Sequence, residues 1–140
     1  TTAGQLGTNW AWNILSPNWK DLWTVEAPAP YGEPNTIKAV ILMTDGEYNT
    51  ADGMCDGGCS PYGPRGVRSN QIARNLCRNM KDEGVLVYTI GFQLNHPVAV
   101  DTLNQCATSE RTAFLAQDGD ELRNAFRDIA RQLTNLRLTQ

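Results

Sequence analysis

Lys38–Thr50 reads KAVILMTDGEYNT, and the fold is decided on these residues. Ala39–Met43 is an unbroken apolar run, shorter than a typical helix and rich in strand formers. It is expected to be a strand buried on both faces, as in a parallel sheet with helices above and below. Thr44-Asp45-Gly46 follows directly and sets a carboxylate at the carboxyl end of that strand, where open α/β sheets place their ligand chemistry. The same residues also read as a plain Asp-Gly turn closing a strand, so the flanking sequence has to decide.

Upstream, Ala3–Leu15 has Leu6, Trp10 and Ile14 at i, i+4, i+8 with Gly7 and Ala11 alongside, the spacing of an amphipathic helix packed on that stripe. Ser16-Pro17 stops it. Trp10, Trp12, Trp19 and Trp23 crowd this region; core packing is the expected use, a carbohydrate or protein contact surface the alternative. Ala27-Pro28-Ala29-Pro30 is a connector. Downstream, the long loop from Gly46 to Arg68 carries five further glycines and two prolines, and loops of this length are usually functional or mobile. Ser69 is expected to cap a helix through Asp82, with Ile72, Ala73, Leu76, Cys77 and Met80 inward and Gly84 as its stop. Val85–Phe92, VLVYTIGF, reads as a second buried strand. His96-Pro97 opens a helix with Val100, Leu103 and Cys106 inward, and Thr112–Ala116 is a third strand. Asp118 and Glu121 form a capping box for a last helix carrying Leu122, Phe126, Ile129, Leu133 and Leu136. The order α-β-α-β-α-β-α points to an α/β fold with a parallel sheet and right-handed crossovers.

Composition narrows the function classes. At 140 residues, 41% apolar and net charge −3, the chain is ordinary for one globular domain spanning residues 1–140. The acidic balance argues against nucleic acid, whose phosphates need a basic face. There is no run of 18 apolar residues to span a membrane. The start at Thr1-Thr2, without initiator Met or signal peptide, reads as a processed product or excised fragment whose targeting segment lies upstream.

Four cysteines in so short a chain suggest an oxidising compartment. Three pairings are open; Cys55–Cys59 with Cys77–Cys106 would clip the long loop and tie two neighbouring helices. A four-cysteine zinc site is the sharper alternative, although the spacings are not paired Cys-x2-Cys knuckles. Catalysis finds little support. His96, the one histidine, precedes Pro97 at a helix start, and a hydrolytic triad would need both it and a Gly-x-Ser-x-Gly that is absent. Cys55-Asp56-Gly57-Gly58-Cys59 departs from the redox Cys-x-x-Cys, and no nucleotide-binding glycine motif follows a strand. Asp45 and Glu47 as an acid/base pair is the remaining enzymatic reading, and no small-molecule substrate is indicated.

Taken in order, KAVILMTDGEYNT, a helix ending in GVLVYTIGF, and CATSERTAFLAQDGDELRNAF resemble the second half of a von Willebrand factor A domain. They come closest to the A-type domains of TadE/TadG-like Flp pilus assembly proteins. The opening TTAGQLGTNWAWNILSPNW is similar to the segment those proteins carry before the TDGE strand, so the resemblance covers nearly all of the chain. It implies a Rossmann-like fold and a metal-ion-dependent adhesion site built from an Asp-x-Ser-x-Ser, a Thr and the Asp of TDG. Asp45 matches the third position. Thr2 is the candidate for the second, because Gly7 follows five residues later where the helix would pack closely; Thr1 is the fallback. Oxygen ligands in near-octahedral geometry suit Mg²⁺, often completed by a partner's carboxylate. The family's bridge also fits a cysteine before GVLVYTIGF and one after it, Cys77 and Cys106.

The departure is equally specific: no Asp-x-Ser-x-Ser occurs, so Asp45 and Thr2 amount to half a site. In the family that motif lies on the strand beside TDG. Ala39–Met43 is therefore expected as an apolar edge within these residues, covered by the protein's own N-terminal segment or by another copy. The expected function is a non-enzymatic cell-envelope interaction module of pilus assembly or adhesion, working with pilus assembly components. Its expected place is the periplasm or cell surface, anchored through a segment upstream.

Overall fold

In the computed structural model, residues 2–23, 27–51 and 59–138 are described. The elements are α1 Gly4–Leu15, β1 Ala39–Thr44, α2 Pro64–Asp82, β2 Leu86–Phe92, α3 Pro97–Cys106, β3 Ala113–Ala116 and α4 Gly119–Leu138, with short 3-10 turns at Pro17–Leu22 and Glu110–Thr112. The three strands form one parallel sheet in the order β1-β2-β3. It is an α/β architecture with helices on both faces, compatible with a Rossmann-like fold.

Alternation along the strands assigns the two faces. Val40, Leu42, Val85 and Val87 pack with Cys77, Met80 and Cys106, and Ala11, Trp12 and Leu15 of α1 close over them. Tyr88 and Ile90 point the other way into Ala125 and Ile129 of α4, with Phe114 and Leu122 around them. β2 is central and buried throughout its middle. β1 departs from the expectation of burial on both faces. It is an edge strand whose Ile41 and Met43 are 39% and 47% exposed, because α4 lies over β2 and β3 and stops short of it.

Two helices depart from the expected faces. The stripe Leu6, Trp10, Ile14 is exposed, with Trp10 at 57%. The buried face of α1 is Gln5 and Thr8, continued by Trp12 and Leu15. Hydrophobicity alone favoured the wrong side; buried hydrogen bonds hold the right one. Gln5 Nε2 donates to the Ala51 carbonyl and its Oε1 accepts from Ser69 Oγ, both at 2.5 Å. Trp12 Nε1 donates to Tyr31 Oη at 2.8 Å. On α4, Phe126 and Leu136 are likewise exposed. Helix α2 starts five residues before the expected Ser69 cap, with Pro64 in its first turn after Gly63. Its stop is as expected: Gly84, at φ +77°, donates to the Lys81 carbonyl and Val85 donates to the Met80 carbonyl, a Schellman motif that needs this backbone region. At α4, Asp118 Oδ1 accepts from the Asp120 and Glu121 amides while Glu121 Oε2 accepts from the Gln117 amide. That is the capping box displaced by one residue on its return arm.

Cys77 and Cys106 form a disulfide joining α2 to α3, with Cα atoms 4.9 Å apart. Cys59 is also disulfide-bonded, which leaves no thiolate set for the four-cysteine zinc alternative. The expected pair Cys55–Cys59 includes Cys55, which lies outside the described residues.

Candidate functional site

The carboxyl end of β1 delivers Asp45 to the surface, as a parallel sheet requires. The turn is fixed by Thr44: its hydroxyl donates to the Gly46 carbonyl at 2.9 Å and accepts from the Gly46 amide at 3.1 Å. Asp45 therefore projects outward, exposed, and among the described residues no hydrogen bond or ion pair engages its carboxylate.

Thr2 is brought to the same place by its backbone. It forms a parallel bridge with Tyr48. Its amide donates to Asn49 Oδ1 at 2.8 Å, and its carbonyl accepts from the Asn49 amide at 3.1 Å. The Thr2 hydroxyl stands beside Gly46, 3.2 Å from where a side chain there would begin. Thr2, Asp45, Glu47, Asn49 and His96 share the wall of one open cleft of 640 Å³. The fallback Thr1 lies outside the described residues.

The close packing of α1 expected at Gly7 falls at Gly4 instead. Gly7 has open space around it; Gly4 makes the close approach, since a Cβ there would lie 2.0 Å from the Tyr48 ring. Tyr48 is buried and plugs the space under the start of α1. Burial pushes its hydroxyl pKa up, and a hydrogen bond with Thr8 pulls it partly back.

A polar scaffold behind the cleft holds this arrangement. Asn70 Nδ2 donates to the Tyr48 and Gly66 carbonyls, both at 2.8 Å, and Asn70 Oδ1 accepts from Thr102 Oγ1 at 2.6 Å. Arg74 reaches Thr102 Oγ1 and Asp101 Oδ2. The loop after β1 is thereby tied to α2 and through it to α3. Gln5 and Asn70 were not singled out from the sequence. A buried amide in a helix carries no periodic signal, because most of its partners are carbonyls and hydroxyls that only the fold brings near.

At the other lip, His96 Nε2 lies 3.7 Å from Glu47 Oε1 and its ring packs on Tyr62 at 5.1 Å. Glu47 is therefore turned to His96, while Asp45 lines the same cleft. Among the described residues His96 Nδ1 is buried and has no hydrogen-bond partner.

The donors fit a hard divalent cation in kind, a hydroxyl and a carboxylate. In number they are two, and among the described residues no group of three or more His, Cys, Asp or Glu is placed to hold a metal. Among the described residues no helix is long and apolar enough to cross a membrane.

No protein-family profile matches the chain, and no curated protein does. Among solved structures, proximal thread matrix protein 1 from the mussel byssus is similar in two crystal forms. The first is 24% identical over 69% of this chain and 19% of that one, with a TM-score of 0.45. The second is 22% identical over 76% and 24%, also at 0.45. This chain thus spans about a fifth to a quarter of that protein's length.

Proposed function

We propose that the chain is the carboxyl-terminal part of a von Willebrand factor A-like domain, acting as a non-enzymatic protein-interaction module of the cell envelope in pilus assembly or adhesion. The observation carrying this reading is the convergence of Asp45 and Thr2 on one cleft at the carboxyl end of a parallel sheet. Among the described residues the carboxylate has no hydrogen-bond or ion-pair partner there, and the threonine is locked by its backbone. Binding would be by ligation: the Thr2 hydroxyl and Asp45 carboxylate hold Mg²⁺, further oxygens come from outside the described residues, and an acidic group of the partner caps the ion. A periplasmic or surface location accords with the oxidised cysteines.

A second reading keeps the fold and makes the chain a structural subunit of the pilus machinery without a working metal site. It is favoured by the donor count, since two oxygens leave most of the shell of Mg²⁺ to water. Titrating Mn²⁺ into the isotope-labelled chain separates the two. Ligation predicts selective broadening of the amide signals of Thr2 and residues 45–47, reversed by excess Mg²⁺ and lost in Asp45→Asn. Uniform weak broadening over all acidic surface residues, unchanged in Asp45→Asn, sinks the cation reading.

A further inference from the structure

We propose that the outward face of α1, with Leu6, Trp10 and Ile14 along it and Trp19 beside Trp10, rests on the interfacial zone of a zwitterionic lipid bilayer. This goes beyond the cation reading and does not depend on it.

Helix α1 is apolar on two sides. Ala11, Trp12 and Leu15 pack onto the core, and Gln5 and Thr8 are buried with them. At about 100° per residue, Trp10 stands roughly 200° round the helix from Thr8, on the side turned away from the sheet. Leu6, Trp10 and Ile14 are each more than half exposed there. A strand laid beside β1 would run in the plane of the sheet, beneath α1. The flank of the helix nearest that strand carries Gly7 and Ala11, which line one groove with Ile41 and Met43. Such a strand leaves the outward stripe uncovered, so its cover comes from outside the helix layer.

Charge selects the kind of surface. Charged residues make up 19% of the chain, yet none occurs before Lys20. The face therefore has nothing by which an oppositely charged partner would recognise it. Neutral amides border it instead, Asn13 on the helix and Asn18 beside Trp19. Tryptophan suits a bilayer interface, because its ring takes the apolar side and its N–H the wet side.

Shape separates a bilayer from the other takers of an apolar face. Trp10 and Trp19 meet edge to face, with centroids 5.9 Å apart at 69°. None of the larger clefts is lined by Leu6, Trp10 or Trp19. The relief is a ridge, whereas a sugar ring stacks on a flat platform. A second copy crossing α1 on α1 would set two Trp10 indoles at the seam and hold the axes beyond the usual ~8–10 Å. A fluid interface accepts a ridge without a matching groove. The 12 residues of α1 make about 18 Å of helix, which lies along the surface and does not span it.

The test mixes the full chain with phosphatidylcholine vesicles. The chain is expected to float with them, and bromine placed near the headgroup should quench its Trp emission more than bromine near the chain end. Raising salt should leave binding unchanged, since no charge carries it. Leu6→Glu and Trp10→Glu should each weaken binding at least tenfold with the urea midpoint unchanged. Phe126→Glu, on α4 across the sheet, should weaken it less than twofold. If a Glu variant lowers the midpoint, bromine depth and salt dependence of the native chain decide. No flotation at millimolar lipid overturns the proposal, as does binding that needs anionic lipid or is lost in salt. Equal weakening by Phe126→Glu overturns it too. So does a doubled mass in sedimentation without lipid that Trp10→Glu abolishes, which would make the occupant a second copy.

Discussion

Gly4 and Gly7 lie one turn apart on α1 and face opposite demands. At Gly4 a methyl group would fall inside the Tyr48 ring, and that ring is hemmed in because Asn70 holds the Tyr48 carbonyl. Gly4→Ala is expected to cost about 1–3 kcal/mol by overpacking. Gly7→Ala meets open space and should stabilise by about 0.5–1 kcal/mol, the helix propensity of alanine over glycine. Urea unfolding of the two variants checks both signs at once; equal effects would mean that Tyr48 yields. At this scale the sequence was readable where chemistry is announced by position, as with Asp45 at the end of an apolar run. The close helix approach that points to Thr2 belongs to Gly4 and not to Gly7. Gln5 and Asn70 were invisible, since most of their partners, the Ala51 and Tyr48 carbonyls and the Ser69 and Thr102 hydroxyls, are distant in sequence.

Between elements, α2 is the hub of one face. The Cys77–Cys106 bridge, the Asn70–Thr102 bond and Lys81, whose Nζ donates to the Gln105 and Ala107 carbonyls, all fasten α3 to it. Ser69 and Gln5 fasten α1. The bridge closes a loop of sequence separation 29, worth about 3–4 kcal/mol on the chain-entropy argument. Replacing both cysteines by serine is expected to lower stability by about that amount, measured by thermal unfolding with and without reductant. Reductant should shift the serine variant less than the native chain, since only the bridge at Cys59 remains to be reduced, and equal shifts in the two would show the Cys77–Cys106 bridge to be idle. The elements themselves were largely readable: three strands and four helices in order, since buried apolar runs and glycine or proline stops are local signals. Faces were read less well. Leu6, Trp10 and Ile14 form the more apolar stripe of α1 yet point outward, while Gln5 and Thr8 go inside because Ser69, Ala51 and Gly4 offer them partners.

Across the whole molecule the two faces of the sheet are held by different physics. On the side of α1, α2 and α3, a disulfide and a chain of buried hydrogen bonds cross-link the helices to one another. On the other side, α4 is attached chiefly by apolar burial, with Ala125 and Ile129 against Tyr88 and Ile90 and Gln132 Nε2 donating to the Arg111 carbonyl. Among the described residues no second helix lies beside it over β1, and Ile41 and Met43 are exposed there. A helix held mainly by one apolar stripe opens more readily than helices tied by covalent and polar links, and local opening follows such divisions. Native-state hydrogen exchange in sub-denaturing urea should therefore show α4 amides exchanging through an opening of lower free energy than those of α2 and β2. Ile129, 2% exposed, sets the size of that gap. Ile129→Ala is expected to cost about 2–4 kcal/mol and to lower the α4 opening energy by a similar amount. Phe126→Ala, on the exposed side of the same helix, should cost well under that. If α4 and α2 exchange together at every urea concentration, the sheet's two faces are one cooperative unit and the division fails.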